Sequence, residues 1–120
     1  MGDTRLRLRI YFDDRLQLGP GKADLLDQIA AHGSISAAGR AMGMSYRRAW
    51  ALVEEMNTAF RDPVVTSSRG GASGGGARLT PTGQQVLDHY RRLQDLVWEQ
   101  GGDQIRAIDA MLRDNPPLDE

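Results

Sequence analysis

Two short apolar-patterned segments meet at Gly43, and this junction restricts the fold more than any other feature of the chain. The first segment starts at Ser34 and ends near Met42-Gly43, with Gly39 inside it; the second opens at Ser45 and runs to about Phe60, where Asp62-Pro63 breaks it. Two helices joined by a tight turn need a small residue where they cross and a glycine able to take positive φ in the turn. Gly39 and Gly43 stand where those needs fall, Met42 and Met44 flank the turn as apolar packing, and Ala49 and Leu52 face back from the second helix. Ser34 and Ser36 offer caps for the first helix and Ser45 for the second.

The flanking segments extend the pattern. Arg5 to Phe12 alternates, placing Leu6, Leu8, Ile10 and Phe12 on one side of a half-buried strand. Gly19-Pro20-Gly21 reads as a turn, followed by a helix from Lys22 to His32 that Gly33 stops. Val64 to Ser68 and Ala77 to Thr80 read as a strand and its return, joined by a glycine-rich tip from Arg69 to Gly76. Thr80-Pro81-Thr82 starts a helix with Val86, Tyr90, Leu93 and Val97 on one stripe. Gly101-Gly102 is expected to interrupt it, Asp103 to cap a further short helix through Ile105, Ile108 and Leu112, and residues 115–120 to fray. The order specifies a mainly α fold with a small antiparallel β wing: a winged helix-turn-helix with a C-terminal dimerisation helix. It divides into a winged module over residues 1–81, a helical extension over 82–114 and a tail over 115–120.

A chain of 120 residues without cysteine has room for one domain and excludes disulfides and thiolate metal sites. Its longest apolar run, Ala49 to Val53, is too short for a membrane span or a signal-peptide core, which together with the missing cysteines reads as a cytoplasmic protein. The formal net charge of -1 conceals an uneven distribution. Residues 34–81 hold six cations and three anions, whereas residues 82–120 hold four cations and eight anions. A basic middle suits DNA, and the acidic remainder suits another surface. Fourteen of the fifteen cations are arginine, whose forked guanidinium matches phosphate and guanine.

The candidate DNA contacts are Ser34 and Ser36 at the first helix start, Ser45, Tyr46, Arg47 and Arg48 opening the second, and Arg69 and Arg78 beside the wing tip. The opening turn of a second helix of this kind normally enters the major groove. Tyr46 and Trp50, four apart, have the spacing to stack on bases, but Trp50 is read as core beside Ala49, Val53, Met56 and Phe60. The arginines at 5, 7 and 9 are read as the wet face of the first strand.

Enzymatic chemistry finds no foothold. Gly71 to Gly75 formally matches a nucleophile elbow, yet that elbow needs a strand-to-helix turn and a later histidine and acid, and this one lies between two strands. The tip lacks the Gly-Lys-Ser/Thr ending of a phosphate-binding loop. His32 and His89 have no partner histidine, so neither a metal nor a catalytic residue is assigned, and no cofactor is expected.

The run from Gly33 to Trp50, then Glu55-Met56-Asn57, then the glycine-rich tip with Ala77-Arg78-Leu79-Thr80 and Gly83-Gln84, resembles the DNA-binding domain of ModE-type molybdate-responsive regulators, a LysR-type helix-turn-helix. The resemblance extends from about Leu6 to Ile108. It implies a transcriptional regulator bound to double-stranded DNA as a homodimer on a palindromic site, with the helix from Ser45 reading bases and the wing touching backbone. Molybdate sensors of this family carry oxyanion-binding domains after the winged helix; this chain is read as lacking them, and molybdate is not expected to bind it. The rival class is a winged-helix protein–protein interaction module, which a salt titration with random duplex would separate from a DNA binder.

Overall fold

The computed structural model describes residues 4–68 and 76–114, so Arg69, most of the glycine-rich tip and residues 115–120 lie outside the described residues. Eight elements follow one another: β1 (Ile10–Phe12), β2 (Leu16–Leu18), α1 (Pro20–His32), α2 (Ile35–Ala41), α3 (Tyr46–Ala59), β3 (Val65–Ser68), β4 (Gly76–Leu79) and α4 (Pro81–Ala110). Two separate antiparallel hairpins, β1–β2 and β3–β4, frame the helices, and the whole is a winged helix-turn-helix.

The first hairpin corrects the single strand expected over residues 5–12. Only Ile10 to Phe12 is strand, and it turns back at Asp13 to pair Ile10 with Leu18 and Phe12 with Leu16. Asp13 takes the left-handed conformation (φ 42°), and its carboxylate accepts from the Arg15 side chain at 2.9 Å and the Arg15 amide at 3.3 Å. An aspartate that bonds its own backbone two residues on can replace glycine in such a turn. The side-chain hydrogen bond from Arg15 also holds the exposed Asp13 carboxyl below its ordinary pKa. The alternation of the N-terminal arm does survive: Leu6, Leu8 and Ile10 are half-buried and Arg5, Arg7 and Arg9 exposed.

Helix α1 begins at Pro20, two residues earlier than expected. Gly19 is its N-cap and Pro20 its first residue, where a missing N–H costs nothing. Its other end is the predicted glycine stop: Gly33 has φ 74° and donates to the Ile29 carbonyl at 2.8 Å. The Gly33 carbonyl in turn accepts from the Ala77 amide at 2.8 Å, fastening the wing to the end of α1.

The α2–turn–α3 unit follows the reading of Gly39 and Gly43. Gly43 has φ 71°, and the Met44 amide donates to the Gly39 carbonyl at 2.9 Å across the turn. A β-carbon on Gly39 would lie 3.1 Å from that of Ala49, so the two helices touch at their smallest residues. Leu25, Leu26, Ile29, Ala38, Ala49 and Met56 are fully buried between α1, α2 and α3.

Asn57 joins α3 to the wing. Its side-chain oxygen accepts from the Val64 amide at 2.7 Å and the Val65 amide at 3.2 Å, and its amide donates to the Val65 carbonyl at 3.1 Å. Beyond the wing, the Thr80 hydroxyl donates to the Pro63 carbonyl at 2.6 Å and caps α4 by accepting from the Gly83 amide at 2.9 Å.

Helix α4 runs unbroken for 30 residues through Gly101 and Gly102, so the expected interruption and second capped helix are corrected to one element. Two glycines cost only about 2 kcal/mol of helix propensity, which the long flanking turns offset. Its opening turns belong to the common core, with Leu87 and Tyr90 buried and the Tyr90 hydroxyl donating to the Leu8 carbonyl at 2.5 Å. Burial raises the pKa of that phenol. Arg91 ties α4 to α1 through Asp24 at 3.0 Å and through Asp27. Burial there opposes the guanidinium charge, and the hydrogen bonds to both aspartates outweigh it, leaving the pKa of Arg91 raised.

Candidate nucleic-acid interface

The first turn of α3 carries a group of adjacent exposed contact-forming side chains. Ser45 caps the helix, its hydroxyl accepting from the Arg48 amide at 3.1 Å, which fixes the direction in which Tyr46, Arg47 and Arg48 leave the backbone. Tyr46, Arg47 and Arg48 are all exposed, and neither arginine forms an ion pair among the described residues. Two uncommitted guanidinium groups and a phenol at a helix N-terminus are suited to phosphate oxygens and to the acceptors of guanine.

Trp50 is the main correction to the sequence reading. It is 46% exposed and stands one turn after Tyr46, itself 56% exposed, so the two rings share the outer face of α3. The buried stripe is Ala49, Leu52, Val53 and Met56. Residue 50 lies about 100° around the helix from residue 49, outside that stripe. The spacing 49, 52, 53, 56 was sufficient to exclude Trp50 from the core, and its apolar character pulled the reading the wrong way.

The remaining candidates fall at a second locus. Ser34 caps α2, accepting from the Ala37 amide at 2.9 Å, and Ser36 accepts from the Arg40 guanidinium at 2.9 Å. Both hydroxyls therefore already serve α2, and Ser36 steers Arg40, an exposed cation that the sequence reading left out. Arg78 projects from β4, exposed, opposite Thr66 in the wing ladder. Because the Ala77 amide is bonded to the carbonyl of Gly33, the wing strand and the start of α2 are neighbours. Arg69, assigned to the same wing, lies outside the described residues. Among the described residues no cluster of His, Asp or Glu could hold a metal ion, and no helix is long and apolar enough to cross a membrane.

Comparison with known proteins agrees with this geometry. Residues 22–84 match the family of bacterial regulatory helix-turn-helix proteins, lysR family, a span running from the first turn of α1 into α4. The chain is 44% identical over 78 residues to the molybdenum-pterin-binding protein MopB of Rhodobacter capsulatus, covering 65% of this chain and 29% of that protein. It is 35% identical over 116 residues to the transcriptional regulator ModE of Yersinia pestis, covering 97% of this chain and 41% of the relative. To the DNA-binding transcriptional dual regulator ModE of Escherichia coli (strain K12) it is 33% identical over 112 residues, 93% of this chain and 40% of the relative. The chain thus spans less than half the length of these curated relatives. With the helix-turn-helix, the wing and the exposed first turn of α3 all inside the matched span, the chain belongs to the lysR family of bacterial regulatory helix-turn-helix proteins and has the winged-helix module of a ModE-like DNA-binding regulator.

Proposed function

We propose that this chain binds double-stranded DNA in a sequence-specific way as part of a ModE-type transcriptional regulator, placing the first turn of α3 in the major groove and the β3–β4 wing against the backbone. The observation that carries the reading is the exposed set Tyr46, Arg47, Arg48 and Trp50 on one end of α3, held in orientation by the Ser45 cap. Arg47 and Arg48 are the base or phosphate contacts, Arg78 and Arg69 the wing contacts, and Ser34 and Ser36 the start of α2 facing the sugar-phosphate chain. Selection of bound duplexes from a random library, repeated with Arg47→Ala and Arg48→Ala, tests this. Loss of the selected motif is expected, and an unchanged motif in the double variant would remove α3 as the reading element.

The reading includes a homodimer. One such module covers only a few base pairs, and two related by a two-fold axis would place their α3 helices about 34–36 Å apart on a palindrome. Tyr90 cannot serve a seam between copies, since it is spent on the module's own core. Leu93 and Ile108 further along α4, and Met111 and Leu112 just past its end, remain exposed and are the side chains a partner copy would cover. Light scattering at micromolar concentration checks it: twice the chain mass is expected, and a chain truncated at Gly101 should dissociate while keeping the winged fold.

The molybdenum in the names of several relatives belongs to proteins of which this chain covers 36% or less, and we assign no molybdate site and no cofactor to its residues. A place in the cytoplasm, where a bacterial regulator meets its operator, follows from the same reading.

A further inference from the structure

One charged cleft adjoins the contacts assigned above and shares only Arg48 with them. It is lined by Arg9, Gln17, Lys22 and Arg48 together with Gly19, Gly21, Met44 and Leu52, and has a volume of about 270 Å³. Three cations from separate parts of the chain line it: Arg9 precedes β1, Lys22 stands in the first turn of α1, and Arg48 in the first turn of α3.

The local charge is poorly compensated. The Lys22 ammonium lies 3.1 Å from the Glu55 carboxylate, while Arg9 and Arg48 form no ion pair among the described residues. The first turn of α1 contains no acidic residue, and Gly19 supplies no side-chain cap. Arg9 is nonetheless laid across this point, so that a β-carbon on Gly19 would meet its Nε at 3.1 Å and its Cγ at 3.4 Å. A net excess of two positive charges thus lines an open cleft. Such a cleft suits a tetrahedral oxyanion.

Its position decides which one. The cleft is at the N-terminal end of α1 and the wing is tied to the C-terminal end by the bond from Ala77 to Gly33. Thirteen helical residues separate these ends, about 20 Å along the axis. Arg48 belongs to both the cleft and the reading turn of α3, so a duplex seated on that turn would lie beside the cleft. We infer that Arg9, Lys22 and Arg48 grip a phosphate group, that of the DNA backbone on the side of the reading helix away from the wing. This rests on the DNA-binding reading above and moves Arg9 from a merely wet face to a contact residue.

The test uses the whole chain, with Arg9→Ala as the variant and Arg7→Ala, an exposed arginine of the same arm outside the cleft, as control. Binding to random and selected duplexes is measured against salt. Arg9→Ala is expected to bind both about tenfold more weakly at low salt and to flatten the slope of log K against log salt by about 0.9, the loss of one phosphate contact, with Arg7→Ala well short of both. In parallel, the melting temperature is read with millimolar inorganic phosphate replacing chloride at equal ionic strength. A rise in the wild type that Arg9→Ala abolishes, with no slope change, reassigns the cleft to free phosphate and keeps the same three residues. Absence of both effects overturns the inference. If the wild type shows no salt-dependent duplex binding while the Arg9-dependent phosphate effect persists, the DNA-binding reading fails and the oxyanion cleft stands.

Discussion

Gly83 is pressed against the carbonyl of Val64: a β-carbon built on it would come within 2.1 Å of that oxygen. The same carbonyl accepts from the Thr80 amide at 3.0 Å, so it cannot swing away without breaking the junction of wing and α4. Gly83→Ala should therefore push α4 off β3 and cost about 3 kcal/mol or more, beyond the usual range of single substitutions. Thermal unfolding monitored by circular dichroism checks it. A melting temperature within a degree of wild type would show that the junction is looser than described.

Asn57 holds three backbone groups of the wing root, two amides and one carbonyl. Asn57→Ala leaves partly buried N–H groups without partners, a loss of about 2–3 kcal/mol. Hydrogen exchange should accelerate at Val64 and Val65 more than in α1, which distinguishes a loosened wing from general unfolding. Equal acceleration everywhere would contradict a local role.

Trp50→Ala and Ala49→Leu, one position apart, should behave oppositely. Trp50 is exposed, so its truncation should change stability by no more than about 0.5 kcal/mol while weakening DNA binding several-fold. Ala49 is wholly buried against Gly39, so the larger side chain should cost about 1–3 kcal/mol through overpacking. Denaturant melts and duplex titrations on both variants separate the two roles.

Gly101 lies inside a continuous helix with open space where its β-carbon would be. Gly101→Ala should stabilise α4 by about 0.5–1 kcal/mol. A fall in stability together with a loss of dimer mass would instead place this position under the partner copy.

Much of this architecture was legible in the residues, for reasons that differ by element. Gly33, Gly43 and Ser45 act through their own backbone or the adjacent turn, so their roles follow from local chemistry, and each is found where its spacing places it. The β1–β2 hairpin was hidden because its turn, Asp13-Asp14-Arg15, contains neither glycine nor proline and depends on one aspartate taking positive φ. The Gly101-Gly102 pair misled in the other direction: as a local signal it stops a helix, whereas a long helix already nucleated on a core bridges it. At the interface, Arg47 and Arg48 could be chosen because helix register needs only the cap. The cleft of Arg9, Lys22 and Arg48 could not, since its members are 13 and 26 positions apart and meet only through the tertiary fold.

The unbroken course of α4 makes it a lever. Tyr90 clamps its first third to the Leu8 carbonyl of the N-terminal arm and Arg91 clamps it to α1; from there to Ala110 the helix extends about 30 Å, with the Thr4 hydroxyl donating to the Asp109 carboxylate at 3.5 Å near the far end. A tilt of about 10° at the clamp would carry the far end about 5 Å sideways, and by the same geometry a small sideways push on the far end would turn the clamp. Because Arg91 grips α1 directly, that turn is delivered to the helix whose two ends carry the wing and the phosphate cleft, so whatever bears on the tip of α4 bears on the grip on DNA.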